Sequence, residues 1–138
     1  MAHPGDAPAR PACQREDCTE TAEQLTIGLP DQRILIAQDV VYHDVHSFIA
    51  EHSFASWSVA LDLLASWPYD IVLPGHGLPG DRQLYAAAKG YLTAAAAAFA
   101  AAAGPDDLSE QLEEAYPGFG GQAMQGLQNF YLYPSGRS

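Results

Sequence analysis

The chain has 138 residues, enough for one domain with a real core, and 48% of them are hydrophobic, as expected of a folded globular protein rather than a disordered one. Seventeen acidic residues against 6 basic ones leave a formal charge of −11. A surface that acidic is repelled by phosphate backbones and anionic lipid, which argues against nucleic acid and membranes as partners.

Residues 1–18 are rich in Pro, Ala, Gly and charge and lack hydrophobic periodicity, so they read as a flexible leader or remnant ahead of a single domain over 19–138. Cys13 and Cys18 make neither a disulfide framework nor a four-ligand zinc site, and no secretory hydrophobic region precedes them; a cytoplasmic protein is expected. Leu25, Ile27 and Leu29 alternate with polar or small residues, the pattern of a half-buried strand. Pro30-Asp31-Gln32 is turn chemistry, and the continuous apolar run Ile34 to Ala37 predicts a second strand, buried on both faces and ending at Asp39.

Val40 to His52 reads as an aromatic- and histidine-bearing loop. From Ser53, the residues Phe54, Trp57, Leu61 and Leu64 share one helical face, and Pro68 ends that helix. Ile71-Val72-Leu73 is a short buried strand running into Pro74-Gly75-His76-Gly77. A long helix from Asp81 carries Leu84, Tyr85, Ala88, Tyr91, Leu92, Ala95 and Phe99 along one stripe and stops at Gly104-Pro105. Its apolar part, Tyr91 to Gly104, is too short to span a bilayer. A third helix (Leu108, Leu112, Tyr116) and a last segment (Met124, Leu127, Phe130, Tyr131) complete an α/β chain, with Tyr116, Phe119, Phe130, Tyr131 and Tyr133 expected to close the core.

Two positions carry chemistry. Asp39 ends an apolar strand, where a carboxylate is costly to bury unless paired or metal-bound. His76 stands between two glycines directly after another strand, and glycine lets the backbone turn sharply into a confined site. Ligands in α/β sheets gather at the carboxyl ends of strands, so both residues point to one crevice. Each alone has a plain structural reading, a cap in one case and a loop in the other. A third group, His43, His46 and His52, clusters after Asp39 with Asp44 and Glu51 nearby; His43 and His46 have a spacing that could bind one ion jointly on a helical turn.

The stretch Leu29-Pro30-Asp31-Gln32-Arg33-Ile34-Leu35-Ile36-Ala37-Gln38-Asp39, followed by a helix and then by Ile71-Val72-Leu73-Pro74-Gly75-His76-Gly77, resembles the C-terminal half of metallo-β-lactamase-fold hydrolases. The resemblance covers roughly Glu20 to Leu92. It implies a partial αββα half: β-hairpin, helix, short strand, then C-terminal helices. It also implies that Asp39 occupies the position of the acid bridging two metal ions and His76 that of a ligand to the second. Glu20 would stand where the family places a further histidine, His46 could join as an extra ligand, and the loop bearing His43, His46 and His52 would border the substrate.

Gln38 departs from the family, which usually has glycine before the bridging aspartate. The larger departure is the absence of the H-x-H-x-D-H signature from the 38 residues before Asp39. A catalytic zinc needs about three protein ligands and an open position for water. The resemblance therefore implies a truncated hydrolase domain with residual or no catalysis alone, binding zinc weakly or not at all. A non-catalytic dimeric binding or structural module on the same scaffold, or a fragment of a full-length zinc hydrolase, are the alternatives. Strands lacking half their usual packing would leave an apolar sheet face open, and a homo-oligomer burying the face around Leu35 and Val72 is expected.

Overall fold

The structure, a computed structural model, describes residues 24–134; the leader expected over 1–18, both cysteines and Glu20 lie outside them. Three strands and four helices follow in the order β1 (Ile27–Leu29), β2 (Ile34–Tyr42), α1 (Phe54–Ala65), β3 (Ile71–His76), α2 (Gln83–Ala101), α3 (Pro105–Ala115) and α4 (Gln122–Leu132). The strands form one sheet in the order β1-β2-β3, with β1 antiparallel and β3 parallel to β2. The parallel pair is the reason α1 exists where it does: the chain must cross back over the sheet before β3 can start beside β2.

Period-2 alternation sorts the sheet into two unlike faces. Leu35, Ala37 and Val72 are fully buried beneath the helices, packed with Trp57, Leu61 and Leu64 of α1 and with Leu84, Tyr85, Ala88 and Leu92 of α2. On the opposite face the register sets Ile27 and Leu29 beside Ile36 and Ile34, and these beside Leu73 and Ile71. Among the described residues no helix covers that side: Ile27, Leu29 and Ile71 are exposed, and Ile34, Ile36 and Leu73 are half-buried. The expectation that Ile34 to Ala37 is buried on both faces is thus corrected to one face. The open apolar face is carried by the neighbours of Leu35 and Val72, which their own helices already cover.

Two further boundaries differ from the sequence reading. β2 does not end at Asp39 but runs on to Tyr42, with Val40, Val41 and Tyr42 all buried. β3 takes in Pro74, Gly75 and His76 rather than stopping at Leu73. Apolar content marks only the straight, regularly paired part of each strand; the remainder pairs irregularly, which is where proline is tolerated in a sheet.

The stripe on α2 is buried from Leu84 to Ala95 as its spacing predicts, with Phe99 only partly buried, and α1 is pinned to the sheet by the Trp57 indole, which donates to the Val40 carbonyl at 2.8 Å. The last helix is rotated relative to expectation. α4 buries Gln125, Gln128 and Leu132 and leaves Leu127, Phe130 and Tyr131 exposed. The physical cause is the segment α4 covers: the loop after β2 brings a backbone N–H of Ile49 that must be satisfied, and Gln128 Oε1 accepts it at 2.9 Å. Among the described residues no helix is long and apolar enough to cross a membrane.

Candidate functional site

The site grows out of an irregular stretch in the β2–β3 pairing. Ile34, Leu35 and Ile36 pair in step with Ile71, Val72 and Leu73, but Gln38 then falls opposite Pro74 and Tyr42 opposite His76. Between Ile36 and Tyr42 the chain advances six positions along β2, against three along β3 from Leu73 to His76. The excess is absorbed by bulges, which bend a strand and re-aim its side chains. Gln38 sits in the left-handed region at φ 55, where a side chain is strained and glycine is not. The bulged path carries Asp39 over Gly75, so that a Cβ built at position 75 would lie 2.0 Å from Asp39 Oδ1.

The outcome is a contact between the two residues the sequence singled out. Asp39 Oδ1 lies 3.3 Å from His76 Nε2. Their side chains are 36% and 42% exposed, so the pair is open to solvent and the cost of burying a carboxylate is largely avoided. The imidazole is held from its face as well: it stacks on the Tyr42 ring at 4.8 Å and 17°, and Tyr42 in turn packs against Trp57 at 6.2 Å. The backbone closes the frame, His43 N–H donating to the His76 carbonyl at 3.0 Å. Tyr42 was missed as a site residue; its signal was its place at the buried end of the same apolar strand.

The three loop histidines disperse. His43 Nδ1 is 2.6 Å from the Leu78 carbonyl, which makes that nitrogen the donor, and its Nε2 is 3.7 Å from Asp44. Gly77, at φ 92, is what lets the backbone pass so close to His43. His46 is only 1% exposed and belongs to the interior: its Nδ1 is 3.0 Å from the Tyr91 hydroxyl and its ring packs edge-on to Tyr91 and against Phe119. Burial holds its pKa below the usual histidine value, opposed by the Glu113 carboxylate. His52 packs its ring edgewise against Phe99 at 4.6 Å. The structure brings Asp39 and His76 together and does not bring His46 to them as a ligand.

A carboxylate oxygen and an imidazole nitrogen are suitable donors for a divalent cation. They are two, however, and among the described residues no three His, Cys, Asp or Glu side chains gather closely enough to hold a metal ion. The described residues do not make a complete catalytic zinc site.

No family model and no curated protein matches the chain. Among solved structures it is similar to a metallo-beta-lactamase from Pontibacter korlensis, with a TM-score of 0.51 and 26% sequence identity over 57% of this chain and 39% of that one. The chain therefore spans well under two thirds of that relative's length. Its mixed α/β build, a three-stranded sheet with four helices, is structurally similar to a metallo-beta-lactamase.

Proposed function

We propose that this chain is part of a metallo-β-lactamase-like hydrolase, acting in the cytoplasm, whose contribution to the metal centre is Asp39 and His76 and which has little or no hydrolytic activity alone. The observation that supports it most is the 3.3 Å approach of these two side chains over Gly75, reached only through a costly bulge. A strand that needed nothing but packing would have kept the straight register of Ile34–Ile36. Here the chain's own residues orient donors: Tyr42 fixes the plane of the His76 ring and the bulge fixes Asp39. Zinc, when bound by enough ligands, supplies hydroxide near neutral pH. With two ligands no hydrolytic step is assigned to this stretch.

The test is a zinc titration followed by thermal melts of the wild type, Asp39→Ala and His76→Ala, with ester and thioester assays alongside. Weak zinc binding, lost in both variants, and no turnover are the expected results. Tight stoichiometric binding with zinc-dependent turnover in the wild type overturns the claim of inactivity, and zinc binding that survives both substitutions overturns the site.

A second reading, a binding module that works as an oligomer, is favoured by one observation: the sheet face bearing Ile27, Leu29, Ile34, Ile36, Ile71 and Leu73, which no described helix covers. In this reading a second copy of the chain covers it. The two readings are compatible, since the open face and the Asp39–His76 pair occupy different parts of the sheet.

A further inference from the structure

Asp39 Oδ1 and His76 Nε2 stand 3.3 Å apart. A charge-assisted N–H···O bond is shorter, about 2.7–2.9 Å. The spacing matches instead the edge of a zinc tetrahedron. With Zn–N and Zn–O bonds of about 2.0–2.2 Å, two ligands of a four-coordinate ion lie about 3.3–3.5 Å from each other.

Both donors are held in place by the fold itself. Asp39 is set by the bulge over Gly75, and His76 by the Tyr42 ring stacked on it at 4.8 Å. Groups ordered in advance lose little freedom when they bind. The pair is nevertheless only half of a closed site. Zinc in a structural site takes four protein ligands, and among the described residues no third His, Cys, Asp or Glu joins these two. With side chains 36% and 42% exposed, both can be reached by a second molecule.

We propose that one zinc ion is shared between two copies of this chain, held by Asp39 and His76 of each across a two-fold axis. The proposal rests on the reading of the pair as metal ligands and adds what completes their coordination. The donor count selects the partner. A second copy brings the two missing ligands in the same rigid frame, and two-fold pairing of identical surfaces is the commonest form of assembly. Charge makes the pairing depend on the ion. Each chain carries a formal charge of −11, so two Asp39 carboxylates repel without zinc, whereas with it they balance its two positive charges. Four protein ligands leave no position open for water, which accords with a site that joins copies and has no hydrolytic turnover.

The probe is zinc alone, titrated into the full chain at a concentration where the metal-free protein sediments as a monomer. A dimer with one zinc per two chains is expected, associating at least about tenfold more tightly than without the ion. A chelator should return it to monomer, a readout that needs no variant and so stands even if a substitution weakens the fold. Asp39→Ala and His76→Ala should each abolish the zinc-dependent dimer. The double substitution Cys13→Ser and Cys18→Ser, which removes the chain's thiol ligands, should leave it intact. One zinc per chain in a monomer overturns the sharing and leaves Asp39 and His76 as a metal pair, whereas no zinc bound at all overturns both. A zinc-dependent dimer that survives Asp39→Ala and His76→Ala, or that disappears with the cysteines, assigns the ion to other residues and overturns the proposal.

Discussion

Gly75 and Asp39 occupy space that only one of them can fill: a Cβ at position 75 would meet Asp39 Oδ1 at 2.0 Å and the Gln38 and Asp39 backbone at 2.7 and 2.8 Å. Two of those atoms are main chain, so rotating the carboxylate away cannot relieve the crowding. Gly75→Ala should therefore push β2 off β3 at the bulge and cost about 1–3 kcal/mol, the usual penalty for overpacking. Gly90 in α2 is the internal control, because nothing lies within 4 Å of a Cβ there. Gly90→Ala should stabilise by about 1 kcal/mol through helix propensity alone. Thermal melts of the two variants should shift in opposite directions, and equal shifts would show that the crowding at position 75 is relieved elsewhere.

Gln38, next along the bulge, is strained for a different reason. A non-glycine residue at positive φ costs roughly 1–3 kcal/mol, while glycine has its own entropic cost of about 0.5–1 kcal/mol. The balance favours Gln38→Gly by up to about 2.5 kcal/mol. The side chain is exposed, so no packing is lost. A chemical denaturation midpoint that fails to rise would mean that Gln38 makes a compensating interaction in the folded state.

Position 38 also shows what was legible in the sequence. The bare motif order, hairpin, Asp39, helix, strand, His76, located the two residues that meet and the departure of Gln38 from a glycine usual in the resembling family. The structure gives that departure its physical content, a left-handed backbone with a side chain on it. What the sequence could not show was the irregular register. Alternation reports which way side chains point only while pairing stays in step, and a bulge breaks that relation at the residues that carry the chemistry. Hence alternation and apolar content end β2 at Asp39, three residues early, and do not single out Tyr42 as the platform under His76. The orientation of α4 was hidden for a related reason. Apolar spacing pointed Leu127, Phe130 and Tyr131 inward, but the unsatisfied backbone of the loop it covers called for the Gln128 amide.

His46 makes acid stability the next expectation. In the folded chain its pKa is lowered, mainly by burial, whereas in the unfolded chain it takes the ordinary value near 6.5. Below that value the unfolded state binds a proton that the folded state resists. The neutral histidine therefore contributes no pH-dependent loss above about pH 7, and stability falls as pH drops through about 6.5 toward the lowered folded pKa. Tyr91 faces Nδ1 and Phe119 the ring, and the Glu113 carboxylate opposes the shift without reversing it. His46→Gln should flatten the stability profile between pH 7 and 5 relative to the wild type. The same slope in both proteins would assign it to other groups.

The open sheet face leads to the last expectation, concentration-dependent self-association. Three strands about 4.8 Å apart make a narrow apolar strip, smaller than the roughly 800 Å² per partner of a standard interface. Association through it alone should be weak, with monomer and dimer exchanging at micromolar concentration. Ile71 is 42% exposed and Ile27 41%, so Ile71→Lys and Ile27→Lys should cost little folding stability in the monomer. Each lysine also lowers the net negative charge of the chain, which by itself would favour association between acidic copies. Loss of the dimer in these variants would therefore have to come from the lost apolar contact. Val59 on α1 is the matching control: it is 68% exposed but away from the sheet face, and Val59→Lys should leave the dimer intact. Sedimentation that shows a monomer at every concentration for the wild type, or equal dissociation by Val59→Lys, would show that copies of this chain do not meet through β1, β2 and β3.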